Sequence, residues 1–539
     1  MPTLEWIGKD KVINHHQKVP YRVLERRYSY DEAGQHAEDN GSENMIIHGD
    51  NLEALKALLP RYEGKVKCIY IDPPYNTGNE GWVYNDNVND PKIKKWLGEV
   101  VGKEGEDLSR HDKWLCMMYP RLKLLQRLLA EDGAIFISID DNEKDCLRLI
   151  CNEIFGANMY KGTIVRSTGQ TTGQDSAGLG SSFDYILVYA KSRDYVFGGL
   201  PLTAHDLKRF ENVDSRGNYA YDQLRKTGSN DRREDRPNMY YPIINPDGDE
   251  LYPTATAGYD SCWRVEKKTY ERLVAEDLIL WKKTARNGEE VWWPYVKYYA
   301  EGRTKRPSPL WNEIEGNKKA SRDLKTIMGA GVKFDYPKPL EMIDRILKIA
   351  SVVDGDIVLD SFAGSGTTAH AVLNMNKADG GNRKFILVEM MDYADSITAE
   401  RVKRVIDGYG EGKKAVEGTG GNFSYYELGP VLLLPNGNLN EEVGPQKIRE
   451  YVYYMETKEP LPAEQPTDEP YFMGLCRNTA YYFYYERESV TTLDHAFLAT
   501  VQTKAEGYTI YADLCAVPQE TLQKYNITFK KIPRDIARL

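Results

Sequence analysis

Two short stretches of this chain carry residues suited to chemistry. In IDPPYNTG, residues 71–78, an apolar run ends in Asp72, Pro73, Pro74 and Tyr75. Prolines forbid a continuing helix or central strand, so the stretch is a stiff loop presenting an acid and an aromatic ring at a strand end. An exocyclic amino group on adenine is a poor nucleophile, because its lone pair is delocalised into the ring. A carboxylate and a backbone carbonyl accepting its two hydrogens pull the nitrogen toward tetrahedral geometry. Asp72 supplies the first acceptor and Pro73 the second, while Tyr75 offers a face for stacking. The prolines fix this arrangement before a substrate arrives. A base inside a duplex must first be flipped out to reach it. The plainer reading is a proline-stiffened turn whose Asp72 caps something local.

The second stretch, VLDSFAGSGTT (358–368), places Asp360 at a strand end and small residues through a turn into a helix. Gly364 and Gly366 permit close backbone approach. No lysine follows the second glycine, so this is not a phosphate-gripping P-loop, and the third glycine of a dinucleotide fingerprint is missing. Asp360 repels phosphate and suits a cationic amino group. Glu389, at the end of the next apolar run, is placed to hold ribose hydroxyls. An adenosine half, an amino group and no phosphate together describe S-adenosyl-L-methionine. The alternative is a tight strand–helix turn with a solvated acid. Asp72 and Asp360 are 288 residues apart, so joint action requires the fold to bring them together.

The elements that must do this are visible as alternation. Met45–His48, 66–72, 132–141 and 182–191 read as strands; the helical spacing of Leu52, Leu55, Leu58 and Leu59 and segments near 111–131 and 143–155 read as helices. Alternation returns after residue 335 with a helix entered through prolines (336–350), the glycine-turn unit and a strand at 383–390. Nearly continuous apolar strands between helices predict an α/β fold, a Rossmann-like, mostly parallel doubly wound sheet covered on both faces. At 539 residues the chain needs several domains. The expected boundaries are an N-terminal arm without clear period at 1–42, a first core segment at 43–191, an insert at 192–335, a second core segment at 336–430 and a small α+β C-terminal module at 431–539. Residues 456–470 are a Pro/Glu-rich linker.

The chain is acidic, with a formal net charge of −10, which argues against a uniformly basic nucleic-acid coat but not against a local basic groove. Within 261–310, 11 Lys/Arg stand against 7 Asp/Glu, interleaved with Trp281, Trp292, Trp293, Tyr295, Tyr298 and Tyr299. These aromatics read either as stacking groups or as a small core, and the RTKR stretch at 303–306 as a solvated loop. The seven cysteines form no CxxC pair, so neither a zinc site nor a disulfide framework is expected. No metal is called for, and His15 and His16, being adjacent, point in different directions. PDGDE (246–250) reads as a turn. Without a signal core or an apolar run long enough to span a bilayer, a cytoplasmic enzyme is the expectation.

The order DPPY, insert, glycine turn resembles the β-class amino-methyltransferases of DNA, a circularly permuted arrangement, and DPPY is similar to the adenine-N6 members. LEWIGKDKVINHHQKVPYRVLE (4–25), IIHGDNLEAL (46–55), FDYILVYAK (183–191), YPKPLEMI (336–343) and the tyrosine-rich C-terminal module look like the modification (Mod) subunit of type III restriction–modification systems. The resemblance implies catalytic roles for Asp72, Pro73, Pro74 and Tyr75. It implies cofactor contacts for Asp360, Phe362, Gly364, Gly366, Thr367, Thr368 and Glu389, an acidic turn at Asp50 and Asn51 bordering the cofactor's adenine, and packing of Lys338 over its methionine end. Asp50 reads equally as a helix N-cap, and Lys338 as a solvated charge. The resemblance further implies double-stranded DNA as substrate, target recognition by the insert, a homodimer, a separate nuclease–translocase restriction subunit, and a cytoplasmic, nucleoid-associated setting. Alternatives are a stand-alone regulatory adenine methyltransferase, a targeting subunit for a partner nuclease–translocase, and an enzyme acting on cytosine N4 or RNA.

Overall fold

The computed structural model describes residues 3–77, 110–169, 182–286, 289–463 and 468–538. The chain divides into two compact units, Met1–Gly198 with Ser308–Leu539, and Gly199–Pro307.

Eleven described strands of the first unit form one sheet. In chain order they are β1 (Arg22–Asp31), β2 (Gly34–His36), β3 (Met45–His48), β4 (Val66–Ile71), β5 (Leu129–Ile139), β6 (Tyr160–Ser167), β7 (Phe183–Ala190), β8 (Leu310–Trp311), β9 (Ile357–Asp360), β10 (Lys384–Glu389) and β11 (Asn422–Val431). Across the sheet they run β8-β6-β7-β5-β4-β9-β10-β3-β11-β1-β2. The central pairings β5–β4, β4–β9, β9–β10, β10–β3 and β3–β11 are parallel, as is β8–β6. β7 runs antiparallel to both of its neighbours, and β1 to β11 and β2. The helices used below are α1 (Asn51–Tyr62), α2 (Arg110–Leu128), α3 (Lys144–Phe155), α4 (Asn317–Met328), α5 (Leu340–Ile349), α6 (Thr367–Asp379) and α7 (Glu400–Asp407).

The apolar strands are continuous because both faces of the sheet are covered. On β4, Ile69 and Ile71 join a cluster with Leu55 of α1 and Leu122 and Leu125 of α2. Cys68 and Tyr70 point to the other face and are just as buried. Helix α1 starts where Asp50 accepts from the backbone N–H groups of Leu52 and Glu53.

The N-terminal segment differs from the expected arm without period. Residues 22–31 form a ten-residue strand antiparallel to β11. Its sequence, RVLERRYSYD, hides this because charged residues interrupt the apolar alternation. The strand is held instead by cross-strand pairs: Tyr28 stacks on Tyr425 with ring centroids 5.0 Å apart, and Arg27 bridges to Glu427 at 2.7 Å. The C-terminal part of this unit contains a four-stranded sheet of Phe472–Cys476, Thr479–Phe483, Gly507–Ala512 and Ile527–Lys531, beside the helix Pro445–Thr457.

The second unit contains a four-stranded antiparallel sheet of Asn212–Asp214, Gly217–Gln223, Ile279–Arg286 and Glu289–Tyr299, with the helix Lys267–Ala275. Trp263 and Trp293 are core residues, packed with Leu224, Tyr241 and Val296. Trp281 and Trp292 are only half-buried. This unit is shorter than the expected insert, because residues 192–198 and residues 308–335, the latter with β8 and α4, belong to the first unit. All seven cysteines are free thiols. Among the described residues, no helix is long and apolar enough to cross a membrane.

Candidate active site

The parallel pairing of β4 with β9 aligns Val66 with Ile357 and Ile69 with Leu359, so the loops leaving both strands emerge side by side. Between them lies a cavity of about 320 Å³ lined by Asp72, Pro73, Tyr75, Lys338, Asp360, Phe362, Gly364, Thr367 and Thr368, among others. Residues 288 apart in sequence thus share one chamber at the carboxyl ends of the strands, where open α/β sheets bind ligands. Pro74, Gly366, Glu389, Asp50 and Asn51 are not among the lining residues.

The DPPY loop is fixed from behind. The indole of fully buried Trp114 on α2 donates to the Pro74 carbonyl at 2.7 Å. Asn76 takes a left-handed conformation (φ 58°). Its amide donates to the Arg110 carbonyl at 3.1 Å and to Glu143 Oε1 at 2.5 Å. His111 Nδ1 lies 2.7 Å from the same oxygen, and Cys146 is close by. Burial raises the Glu143 carboxyl above the usual range. Trp114→Phe removes the indole N–H and part of the ring volume, stranding a buried carbonyl and leaving a small void. It is expected to cost about 2–4 kcal/mol of stability, measured as a lower denaturant midpoint with unchanged slope.

Held this way, Asp72 sits in the cavity wall. Oδ2 lies 2.6 Å from the Lys338 ammonium, which also sits 4.8 Å from the Tyr75 ring centroid. Oδ1 is buried with no hydrogen-bond partner among the described residues. A buried acceptor left without a donor is costly and marks a place for an incoming one. Lys338 is therefore neither solvated nor remote from the DPPY loop: it pairs with one carboxylate oxygen of Asp72 and leaves the other without a partner among the described residues.

The glycine turn is equally constrained. Gly366 is left-handed (φ 76°), and a Cβ there would lie 3.0 Å from the Thr398 carbonyl oxygen. Thr398 in turn donates its hydroxyl to the Gly364 carbonyl at 2.5 Å. Asp360 accepts from Phe362 N at 3.0 Å and from the Thr368 hydroxyl at 2.6 Å. Glu389 accepts from Gly364 N at 2.8 Å and Met391 N at 2.9 Å. Burial pushes the carboxyls of Asp360 and Glu389 up to about 7; the nearby Asp72 and Glu389 charges add to the effect at Asp360. Neither has a basic side-chain partner among the described residues. A desolvated acid in the chamber wall, a second bonded to the lining residue Gly364, and Asp72 in the same wall suit a ligand that brings a cationic amino group and hydroxyl donors. On that chemistry the residues fit S-adenosyl-L-methionine.

Asp50 and Asn51 act on the turn at second hand. Asp50 caps α1 and lies 3.2 Å from Arg121. Asn51 donates to the Ser361 carbonyl at 3.2 Å and accepts from Arg121 Nε. Sequence reasoning missed Arg401 of α7, which is buried and donates to Ser365 Oγ at 3.0 Å and Thr367 Oγ1 at 2.8 Å. Burial lowers its guanidinium to about 10. Nothing local in the sequence signals this role; it depends on where α7 packs. His15 and His16, both lowered to about 4 chiefly by burial, lie outside the cavity lining.

Three relatives share much of the chain. The Mod subunit of the type III restriction–modification enzyme EcoPI from Escherichia phage P1 is 33% identical over 72% of this chain and 63% of its own length. The StyLTI Mod subunit of Salmonella typhimurium is 33% identical over 68% of this chain and 58% of its own. The type II methyltransferase M.KpnI of Klebsiella pneumoniae is 35% identical over 65% of this chain and 81% of its own. The chain thus spans about three fifths of the length of the first two. A family model described as DNA methylase (N6_N4_Mtase) matches residues 66–400, from the strand that carries Asp72 through the glycine turn to Glu389 and beyond, and the chain belongs to that DNA methylase family.

Proposed function

We propose that this chain transfers a methyl group from S-adenosyl-L-methionine to N6 of an adenine flipped out of double-stranded DNA, as the modification subunit of a type III restriction–modification system. The carrying observation is the shared chamber: Asp72, with a buried, unpartnered oxygen, faces the acid-bearing glycine turn across one cavity. The Mod relatives and M.KpnI support DNA modification as the setting.

In this mechanism Asp72 Oδ1 accepts one N6 hydrogen and the Pro73 carbonyl the other, localising the lone pair on nitrogen, while Tyr75 stacks against the ring. Lys338 holds the other Asp72 oxygen, so the carboxylate cannot rotate away. Asp360 would hold the ligand's ammonium and Glu389 its ribose hydroxyls, positioning the methyl donor against the clamped amino group. When bound, the cofactor supplies an electrophilic methyl whose sulfonium departs as a neutral thioether, taking the bonding electron pair. The N6 ammonium product then loses a proton, for which no strong base is needed.

The chain is proposed to act as a homodimer on nucleoid DNA in the cytoplasm, with a separate nuclease–translocase subunit for cleavage. Incubating the purified protein with tritiated S-adenosyl-L-methionine and duplex DNA is expected to label N6-methyladenine. Label in N4-methylcytosine alone, or in RNA but not DNA, defeats the proposal. Light scattering on the free protein tests the dimer, and co-purification with a neighbouring nuclease–translocase tests the system.

A further inference from the structure

The chamber has a second polar wall, across Asp72 from the glycine turn. In the sheet, β6 and β7 lie on the opposite side of β4 from β9 and β10. Arg166 on β6 is fully buried and grips Asp184 of β7 with two bonds, Nε to Oδ1 at 2.8 Å and Nη2 to Oδ2 at 2.5 Å. The same guanidinium donates from Nη1 and Nη2 to Oδ1 of Asn317, both at 3.1 Å. Asn317 is the first residue of α4. A guanidinium only donates, so the atom facing it must be the amide oxygen, and this fixes which way the amide lies. Its nitrogen then points away from Arg166. Asn317 and Asp184 line the chamber together with Asp72 and Tyr75.

We infer that Asn317 reads the target base, donating from Nδ2 to a ring nitrogen next to the exocyclic amino group while Asp72 accepts from that amino group. This rests on the base-methylating reading above and names the residue that tells an amino base from guanine or thymine. An amino donor beside a ring acceptor is the pattern of adenine at N6 with N1 or N7, and equally of cytosine at N4 with N3, so the pair admits the amino bases. Guanine and thymine present a carbonyl oxygen at that position, which Asp72 repels. Arg166 and Asp184 position the amide and touch no base. They form a rigid ion pair whose desolvation is compensated by its two-pronged geometry and the third acceptor from Asn317.

The test uses the full chain and a synthetic duplex holding its methylation site, found beforehand by sequencing methylated DNA. The target adenine is replaced by 1-deazaadenine or 7-deazaadenine. For the wild-type protein, one analogue is expected to lower kcat/KM about ten- to a hundredfold relative to adenine, the effect of facing an N–H donor with a C–H group. In Asn317→Ala that extra penalty should shrink by about tenfold or more, because the donor is gone. Asn317→Asp keeps an acceptor for Arg166 but loses the donors, and should fall with Ala on natural adenine. Calorimetric cofactor affinity should be unchanged in both variants, which certifies their fold. Equal penalties in wild type and Asn317→Ala overturn the inference, as does full activity of Asn317→Asp. A wild-type chain that methylates no unmodified duplex instead defeats the proposed function.

Discussion

Asp72→Ala is expected to lower kcat for methyl transfer by about a thousandfold or more while leaving cofactor affinity intact, as befits a preorganised group aimed at the reacting atom. The fold should tolerate the change. The loop is held by the Trp114 indole on the Pro74 carbonyl and by Asn76 on Glu143, not by the Asp72 carboxylate. Asp72→Asn is the sharper variant, since it preserves shape but offers only one acceptor, which must choose between Lys338 and the base. Single-turnover assays with preformed cofactor complex separate transfer from binding. Transfer by Asp72→Ala at the wild-type rate would remove Asp72 from catalysis.

Asp360→Asn is expected to do the reverse. Pairing a buried ammonium with a hydrogen-bonded carboxylate and then neutralising the carboxylate costs about 3 kcal/mol, or roughly a hundredfold in cofactor Kd. The pH dependence gives a second signature. The folded Asp360 carboxyl is raised to about 7, so the folded chain binds this proton more tightly than the unfolded chain. Its contribution therefore lowers stability progressively as pH rises from the ordinary carboxylate range to about 7. Asp360→Asn should raise the unfolding midpoint at pH 8 and change it less at pH 5. Wild-type cofactor affinity should strengthen as pH rises through about 7, since the ammonium needs the ionised acid. The asparagine variant should lose Asp360's share of that dependence and keep the part owed to Glu389, also raised to about 7. An unchanged Kd at pH 8 would remove Asp360 from the cofactor site.

The candidate site was legible where the local residue pattern is unusual. DPPY and the DSFAGSGTT turn were read as an amino-group clamp and a cofactor turn from their residue types, and the fold places both on one cavity; alternating apolar runs located β3, β4, β9 and β10. What stayed hidden is what tertiary packing decides. Asp50 was ambiguous because capping and ligand contact call for the same residue type. Lys338 reaches Asp72 only because the proline-led segment before α5 shares a cavity wall with the loop after β4. Arg166, Asp184 and Asn317 come from three distant segments, and each alone is an ordinary polar residue. β1 was missed because its stability comes from partners on β11 rather than from its own pattern. The aromatic residues of 199–307 were ambiguous for a similar reason: Trp263 and Trp293 are core, while Trp281 and Trp292 keep exposed edges.

The strand order also bears on how the protein is made. β3 and β4 follow each other closely in the chain, yet β9 and β10 separate them in the sheet. On the ribosome both early strands are complete roughly three hundred residues before the pair that belongs between them. Until then the middle of the sheet is an open slot with two unsatisfied edges, the kind of surface that pairs wrongly or recruits chaperones. Truncations ending anywhere before Glu389 should therefore aggregate rather than yield a smaller working domain, and the last pieces to enter the slot are the ones that complete the chamber.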